Sequence, residues 1–228
     1  MPTLRVILLW HQHQPFYKDL VTGEYRLPWT RLHALKDYYG MVKLLDEFPN
    51  VHQNFNLVPS LMVQIQDYVE GTAQDPFLAV ASKPAKDLTV EERRFALQYL
   101  FQANPQNVIG RYPRYRELWE RFREHGDNPD RAERYFVPQD FTDLQVLSQM
   151  AWFDEFFLEE KEIAALVKKG THFSLDDQKF IIQRERELLG KVLPAHAAAA
   201  KKGSIELSAT PFYHPILPLV CDTNAGAA

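Results

Sequence analysis

The stretch TLRVILLW, residues 3 to 10, is nearly continuously apolar. A run of this kind is expected of a strand buried on both faces in a parallel sheet. After a loop that holds Gly23, residues 32 to 48 place Leu32, Leu35, Tyr39, Val42 and Leu45 at helical spacing and stop at Pro49 and Asn50. VHQNFNLV at 51 to 58 then alternates, with Val51, Gln53, Phe55 and Leu57 on one face. Strand, helix, strand is a βαβ unit, and such a unit implies parallel pairing.

The next hundred-odd residues read as mostly helix. Ser60 to Glu70 stops at Gly71, and Thr89 with Glu92 forms a capping box before RRFALQYLF. Residues 113 to 125 mix Arg114, Arg116, Arg121 and Arg123 with Glu117, Glu120 and Glu124, the pattern of a solvated helix face. Asp140 to Lys169 and Ser174 to Lys202 are two further helical stretches, and Gly190 and Pro194 predict a break or kink in the second. Gly203 ends that helix, and SIELS sets Ile205 and Leu207 against Ser204, Glu206 and Ser208 as a third strand. Three strands are few for a closed α/β fold, since a complete eight-stranded barrel takes about 250 residues. The chain therefore reads as the opening part of something larger.

A length of 228 residues suits one large domain or two small ones, and 46% hydrophobic with 25% charged residues suits a globular chain with a sizeable core. The net charge of −4 suggests neither nucleic acid nor a membrane surface as partner. One cysteine, Cys221, forms no internal disulfide, no signal peptide is visible after Met1, and no apolar run approaches the roughly 20 residues of a membrane span. These features predict a soluble, cytoplasmic protein. Prolines sit beside aromatic residues at Pro15-Phe16, Pro28-Trp29, Tyr112-Pro113 and Pro211-Phe212-Tyr213. Such stiff loops carry flat apolar faces suited to lining a groove, and equally to plugging a core.

The first strand runs into HQHQP, residues 11 to 15. Side chains two apart share a strand face, so His11 and His13 point the same way if the strand persists. Sites in α/β folds gather at the carboxyl ends of parallel strands, where His11, His13 and the end of the second strand near Asn56 all fall. An HxH pair suits a metal ion, and it suits a neutral, hydroxyl-rich ligand equally well. Glu206, between Ile205 and Leu207, is either functional and paired or exposed on an edge strand.

HQHQP after an N-terminal strand resembles the first signature of glycoside hydrolase family 57, which holds α-amylases, 4-α-glucanotransferases and branching enzymes. GSIELSATPFYHPILPL, residues 203 to 219, resembles the second, and VHQNFNLVPSLMVQIQDYVEG and DLQVLSQMAWFDEFF resemble the segments between them. The resemblance implies an α/β fold, the N-terminal portion of an incomplete (β/α)7-type barrel with large helical insertions. Residues 1–228 would form that portion, truncated or split after the third strand. His11, His13 and Glu206 match positions that line the family's sugar site, and Tyr213 and His214 fall in the loop bordering the same groove. The nucleophilic glutamate and the acid/base aspartate belong to later signatures beyond residue 228, so no catalytic residue is assigned within the chain. The implied ligand is an α-1,4-glucan or maltooligosaccharide, processed with retention, without metal or other cofactor. Two alternatives stand beside this reading. One is a metal-dependent hydrolase using the HxH pair. The other is a non-catalytic glucan-binding module, or one completed by a second chain or by self-association.

Overall fold

The computed structural model describes residues 4–227; Thr3 and Ala228, the outermost residues of the expected first strand and domain, lie outside the described residues. Three strands, β1 (Leu9–Gln12), β2 (Gln53–Leu57) and β3 (Ile205–Ser208), pair in parallel in the order β1-β2-β3. The registers place Trp10 beside Phe55 and Phe55 beside Leu207, and His11 beside Asn56 and Asn56 beside Ser208. Paired residues in a pleated sheet share a face. One face therefore presents Trp10, Phe55, Leu57, Ile205 and Leu207, and the other His11, Asn54, Asn56, Glu206 and Ser208.

Helices cover the apolar face. The first crossover begins with α1 (Trp29–His33), passes through a π-helical turn at Ala34–Tyr38, and continues as α2 (Tyr39–Lys43) and a 3-10 turn at Leu44–Asp46. Val42 and Leu45 from this segment meet Phe55 and Ile205 in a small buried core beneath the sheet. At the π turn the Leu35 carbonyl accepts the Asp154 amide at 2.9 Å. A Cβ on Gly40 would sit 2.0 Å from the Asp154 carboxylate, so only glycine fits there. Burial pushes the Asp154 carboxyl up, against the opposing pull of the Phe156 and Gly40 amides.

Between β2 and β3 lies the helical body. It contains α3 (Pro59–Glu70), α4 (Pro76–Ser82), α5 (Val90–Tyr99), α6 (Pro113–Glu124), α7 (Pro129–Ala132), α8 (Pro138–Met150), α9 (Glu155–Leu158), α10 (Lys161–Lys169) and α11 (Leu175–Lys202). After β3 comes the short α12 (Leu217–Cys221). Proline opens α3, α4, α6, α7 and α8, where its missing N–H has no helical partner to lose. The capping box of Thr89 and Glu92 starts α5, as the sequence predicts. The body has its own large core, in which Leu35, Leu61, Leu97, Tyr115, Phe141, Leu144 and Leu188 are fully buried. At its centre Arg31, 1% exposed, donates from Nε to Asp75 at 3.0 Å and from Nη1 to Gln149 at 2.6 Å and to Glu185. Burial works against the Arg31 charge, but the facing Glu185 and Asp75 carboxylates outweigh it and hold the guanidinium protonated.

Four expectations are corrected here. The apolar run before HQHQP is not buried on both faces: Val6 is 72% exposed and Leu9 63%, because β1 is an edge strand with helices over one face. Residues 140 to 169 are not one helix, since the chain turns after Met150 and again before Lys161 to bring Asp154 against α2. Residues 175 to 202 form one helix without the break that Gly190 and Pro194 suggest, with Leu188, Leu189 and Val192 anchored in the body core ahead of the proline. The face of α6 is not wholly solvated. Arg114 donates to Asp143 at 2.9 Å and to Asp140 at 2.5 Å, and Arg121 donates to Asp140 at 3.0 Å. Both aspartates are buried, at 0% and 4%. Interspersed charges here serve an internal ion cluster, which periodicity alone does not reveal.

Candidate functional site

The free face of the sheet carries a row of polar side chains in register. His11 Nδ1 lies 2.8 Å from Asn56 Oδ1, and Asn56 Nδ2 donates to Ser208 Oγ at 3.1 Å. A carboxamide oxygen only accepts, so Nδ1 of His11 donates this bond and Nε2 is left free of it. One asparagine at the centre of the sheet thereby bonds a histidine on one side and a hydroxyl on the other.

His13 lies just past the end of β1, and His214 comes from the loop after β3. The three imidazoles gather at the carboxyl end of the sheet. His11 and His214 have ring centroids 4.5 Å apart, His13 and His214 stack at 5.0 Å, and His11 and His13 are 5.5 Å apart. Burial, with the neighbouring His214 and His11, lowers the pKa of His13, so its neutral form is favoured. His214 has φ 55°, a left-handed conformation unusual for a residue with a Cβ, and its amide closes a turn onto Pro211 O at 2.8 Å. Strain of this kind is concentrated at functional sites. Beside the histidines, Phe16, Phe212 and Tyr213 make edge-on contacts at 4.7 to 5.8 Å, with Tyr213 61% exposed.

Glu206 stands apart from this cluster. It is exposed on the edge strand, in register with Asn54 and one row below Ser208. Two strand spacings and one two-residue step separate its backbone from that of His11 by roughly 12 Å. It lines a groove of about 340 Å³ at the opposite end of the strands, with His52, Asn54 and Gly203. Of the strand residues it is the single carboxylate. The structure thus brings His11, His13 and His214 together, sets Tyr213 at their border, and leaves Glu206 on the same face but farther down.

Ser208 was not among the residues singled out from the sequence, although it stands two residues beyond Glu206 and so shares its face. Gln14, whose amide donates to Tyr38 OH at 2.9 Å and ties the HQHQP loop to the π turn, carried no pattern that could have marked it. The three imidazoles meet by faces and edges, and among the described residues no group of three or more His, Cys, Asp or Glu side chains is placed to hold a metal ion. No described helix is long and apolar enough to cross a membrane.

Compared with known proteins, residues 7–227 match the family model for glycosyl hydrolase family 57, which is nearly the whole chain. No curated protein and no solved structure matches it.

Proposed function

The chain belongs to glycosyl hydrolase family 57, and on that premise we propose that the free face of its sheet holds an α-1,4-linked glucan for a retaining hydrolase or transferase reaction. The supporting observation is the polar row of His11, Asn56 and Ser208, which holds no carboxylate or lysine, topped by His13 and His214 and flanked by Phe16, Phe212 and Tyr213. A pyranose presents C–H groups on its faces and hydroxyls around its rim. Flat aromatic faces suit the first, and imidazole nitrogens suit the second. Neutral groups suit a neutral ligand, and the lowered pKa of His13 favours an uncharged ring near neutrality.

Retention at the anomeric carbon needs two carboxyl groups about 5–5.5 Å apart, one as nucleophile and one as acid/base. With Glu206 the single carboxylate on the strands, this face orients sugar, and the catalytic pair comes from elsewhere. In this reading β1 and β3 are open edges of an incomplete (β/α)7-type barrel, and a further segment or a second polypeptide pairs with them and brings the carboxylates. Exposed Val6, Ile7 and Leu9 at one edge and Leu207 at the other support that reading, since unpaired strand edges bearing apolar residues favour pairing.

The test is calorimetric titration with maltoheptaose, together with resolution of products by chain length after long incubation. Binding without turnover, lost in His11→Ala, is the expected result. Shorter and longer oligosaccharides formed by this chain alone would overturn the assignment of the catalytic pair to another segment. Zinc retained at one equivalent through purification would favour the metal-dependent reading instead.

A further inference from the structure

β1 ends at Gln12, and the chain leaves the sheet through HQHQP with backbone groups in need of partners. It finds them at the start of one helix. α3 begins two residues after β2 ends, so its first turns stand at the carboxyl end of the sheet. The Val58 amide donates to Gln12 O at 3.2 Å, and Ser60 Oγ donates to Gln14 O at 3.2 Å. Gln64 Nε2 donates to Pro15 O at 3.0 Å and to Ser60 O of its own helix at 2.9 Å. Gln64 Oε1 accepts the Tyr17 amide at 2.8 Å.

Ser60 and Gln64 are 1% and 0% exposed, on the helix face that also buries Leu61, Ile65 and Tyr68. A buried carboxamide is costly without partners, and this one has them at both its oxygen and its nitrogen. Its two bonds to the loop flank one residue. Pro15 O and Tyr17 N lie on either side of Phe16, and the carboxamide grips the backbone there as a neighbouring peptide unit would. A carboxamide supplies the donor and the acceptor together, whereas a carboxylate of the same shape supplies only acceptors.

The loop held in this way brings His13 and Phe16 to the site. The Phe16 ring meets Phe212 at 5.6 Å and Tyr213 at 5.8 Å, and His13 stacks on His214 at 5.0 Å. Phe212, Tyr213 and His214 are consecutive in the loop after β3. The two loops therefore meet through rings that the first backbone has to present at the right place.

We propose that Gln64, assisted by Ser60, is a positioning residue of the histidine site, setting the HQHQP backbone so that His13 and Phe16 meet the loop of His214. The effect on ligand binding rests on the reading of that face as a sugar site; the effect on the histidines rests on the geometry alone. A site group displaced by about 1 Å costs far more function than the contact that held it.

The test uses Gln64→Met, which keeps the length of the side chain and removes its donors and acceptor, and Ser60→Ala. Each is followed by thermal unfolding, by calorimetric titration with maltoheptaose, and by NMR titration of the histidine rings. In Gln64→Met, with two bonds to the loop lost, maltoheptaose affinity is expected to fall about tenfold. The His13 midpoint is expected to rise toward 6.5 as the ring leaves the burial, His214 and His11 that hold it low. The midpoint of His196, on α11, is expected to stay where it is. Ser60→Ala, with one bond lost, is expected to change affinity about threefold in the same direction. If Gln64→Met does not fold, the same readouts on Ser60→Ala decide. A lower unfolding midpoint with wild-type affinity and a wild-type His13 midpoint would make Gln64 a core residue only and overturn the proposal. If the unaltered protein binds no maltoheptaose, the sugar reading fails by itself. The His13 midpoint then decides alone: moved in the variants, it supports the positioning role, and unmoved, it overturns it.

Discussion

Arg31 in the helical body and His11 on the sheet are both polar side chains pinned by hydrogen bonds, and they are pinned to opposite ends. Arg31 spends its bonds on Asp75, Gln149 and Glu185, groups as buried as itself. His11 is held from one side, by Asn56, and turns its other nitrogen to an open face. The same contrast holds between Phe55 and Asn56, neighbours on β2: the first points into a closed apolar core, the second into a polar row where it bonds His11 and Ser208. The helical body is thus where the fold is held together, and the sheet's free face is where side chains are held ready for something else.

That division predicts a graded series of responses. Arg31→Met leaves Asp75 and Glu185 facing each other in the interior, and stability by urea denaturation is expected to fall by about 3–5 kcal/mol. A loss under 1 kcal/mol would mean that the ion cluster is not what ties α1 to α11. Phe55→Ala empties the small core beneath the sheet and is expected to cost about 3 kcal/mol. If hydrogen exchange in α8 and α11 rises as much as in the strands, the two cores are one cooperative unit and the division is blurred.

The third response is to pH. His13 has a folded-state pKa below its unfolded value of 6.5, so the folded state binds fewer protons between the two. The favourable contribution is present above pH 6.5 and is lost as pH falls through that value toward the folded pKa. Buried His196, lowered by desolvation against the pull of the Val192 carbonyl, acts in the same direction. Stability is therefore expected to drop between neutrality and mild acid, with NMR titration of the His13 ring giving a midpoint below 6.5. In His13→Asn part of that drop disappears, and the part left belongs to the body through His196. The smallest effect is expected at Glu206, where Glu206→Gln changes stability by less than about 0.5 kcal/mol, as for an exposed side chain without packing. A clearly larger loss would show that the carboxylate is bound to something on its own face.

Much of this arrangement was legible in the residues. Strand, helix, strand with parallel pairing followed from where apolar spacing changed from continuous to helical and then to alternating, and the family resemblance put His214 in a loop bordering the groove of HQHQP. Other features could not be read in this way. The apolar run before His11 signals burial whether or not anything covers it, so sequence alone gave no warning that Val6 and Leu9 would lie open. The α6 arginines alternate with glutamates much as exposed ones do, and their partners Asp140 and Asp143 are brought up by folding rather than by spacing. Glu206 was left between two readings, and its exposure on the edge strand matches the plainer of them.

The π turn at Ala34–Tyr38 has a consequence for how the molecule tolerates change. One extra residue in a turn rotates all that follows by about 100°. Within it Leu35 feeds the large core, and beyond it Val42 and Leu45 feed the small one under the sheet. A single helix is in this way indexed to two partners. Deleting one residue from the turn would restore regular winding and misdirect everything downstream by that angle, although no side chain in either core had been touched. Length as well as identity therefore matters in these five residues: Leu35→Ala would loosen the large core, whereas alanine at Lys36, which neither core contains, would leave both cores as they are and deletion of that residue would not.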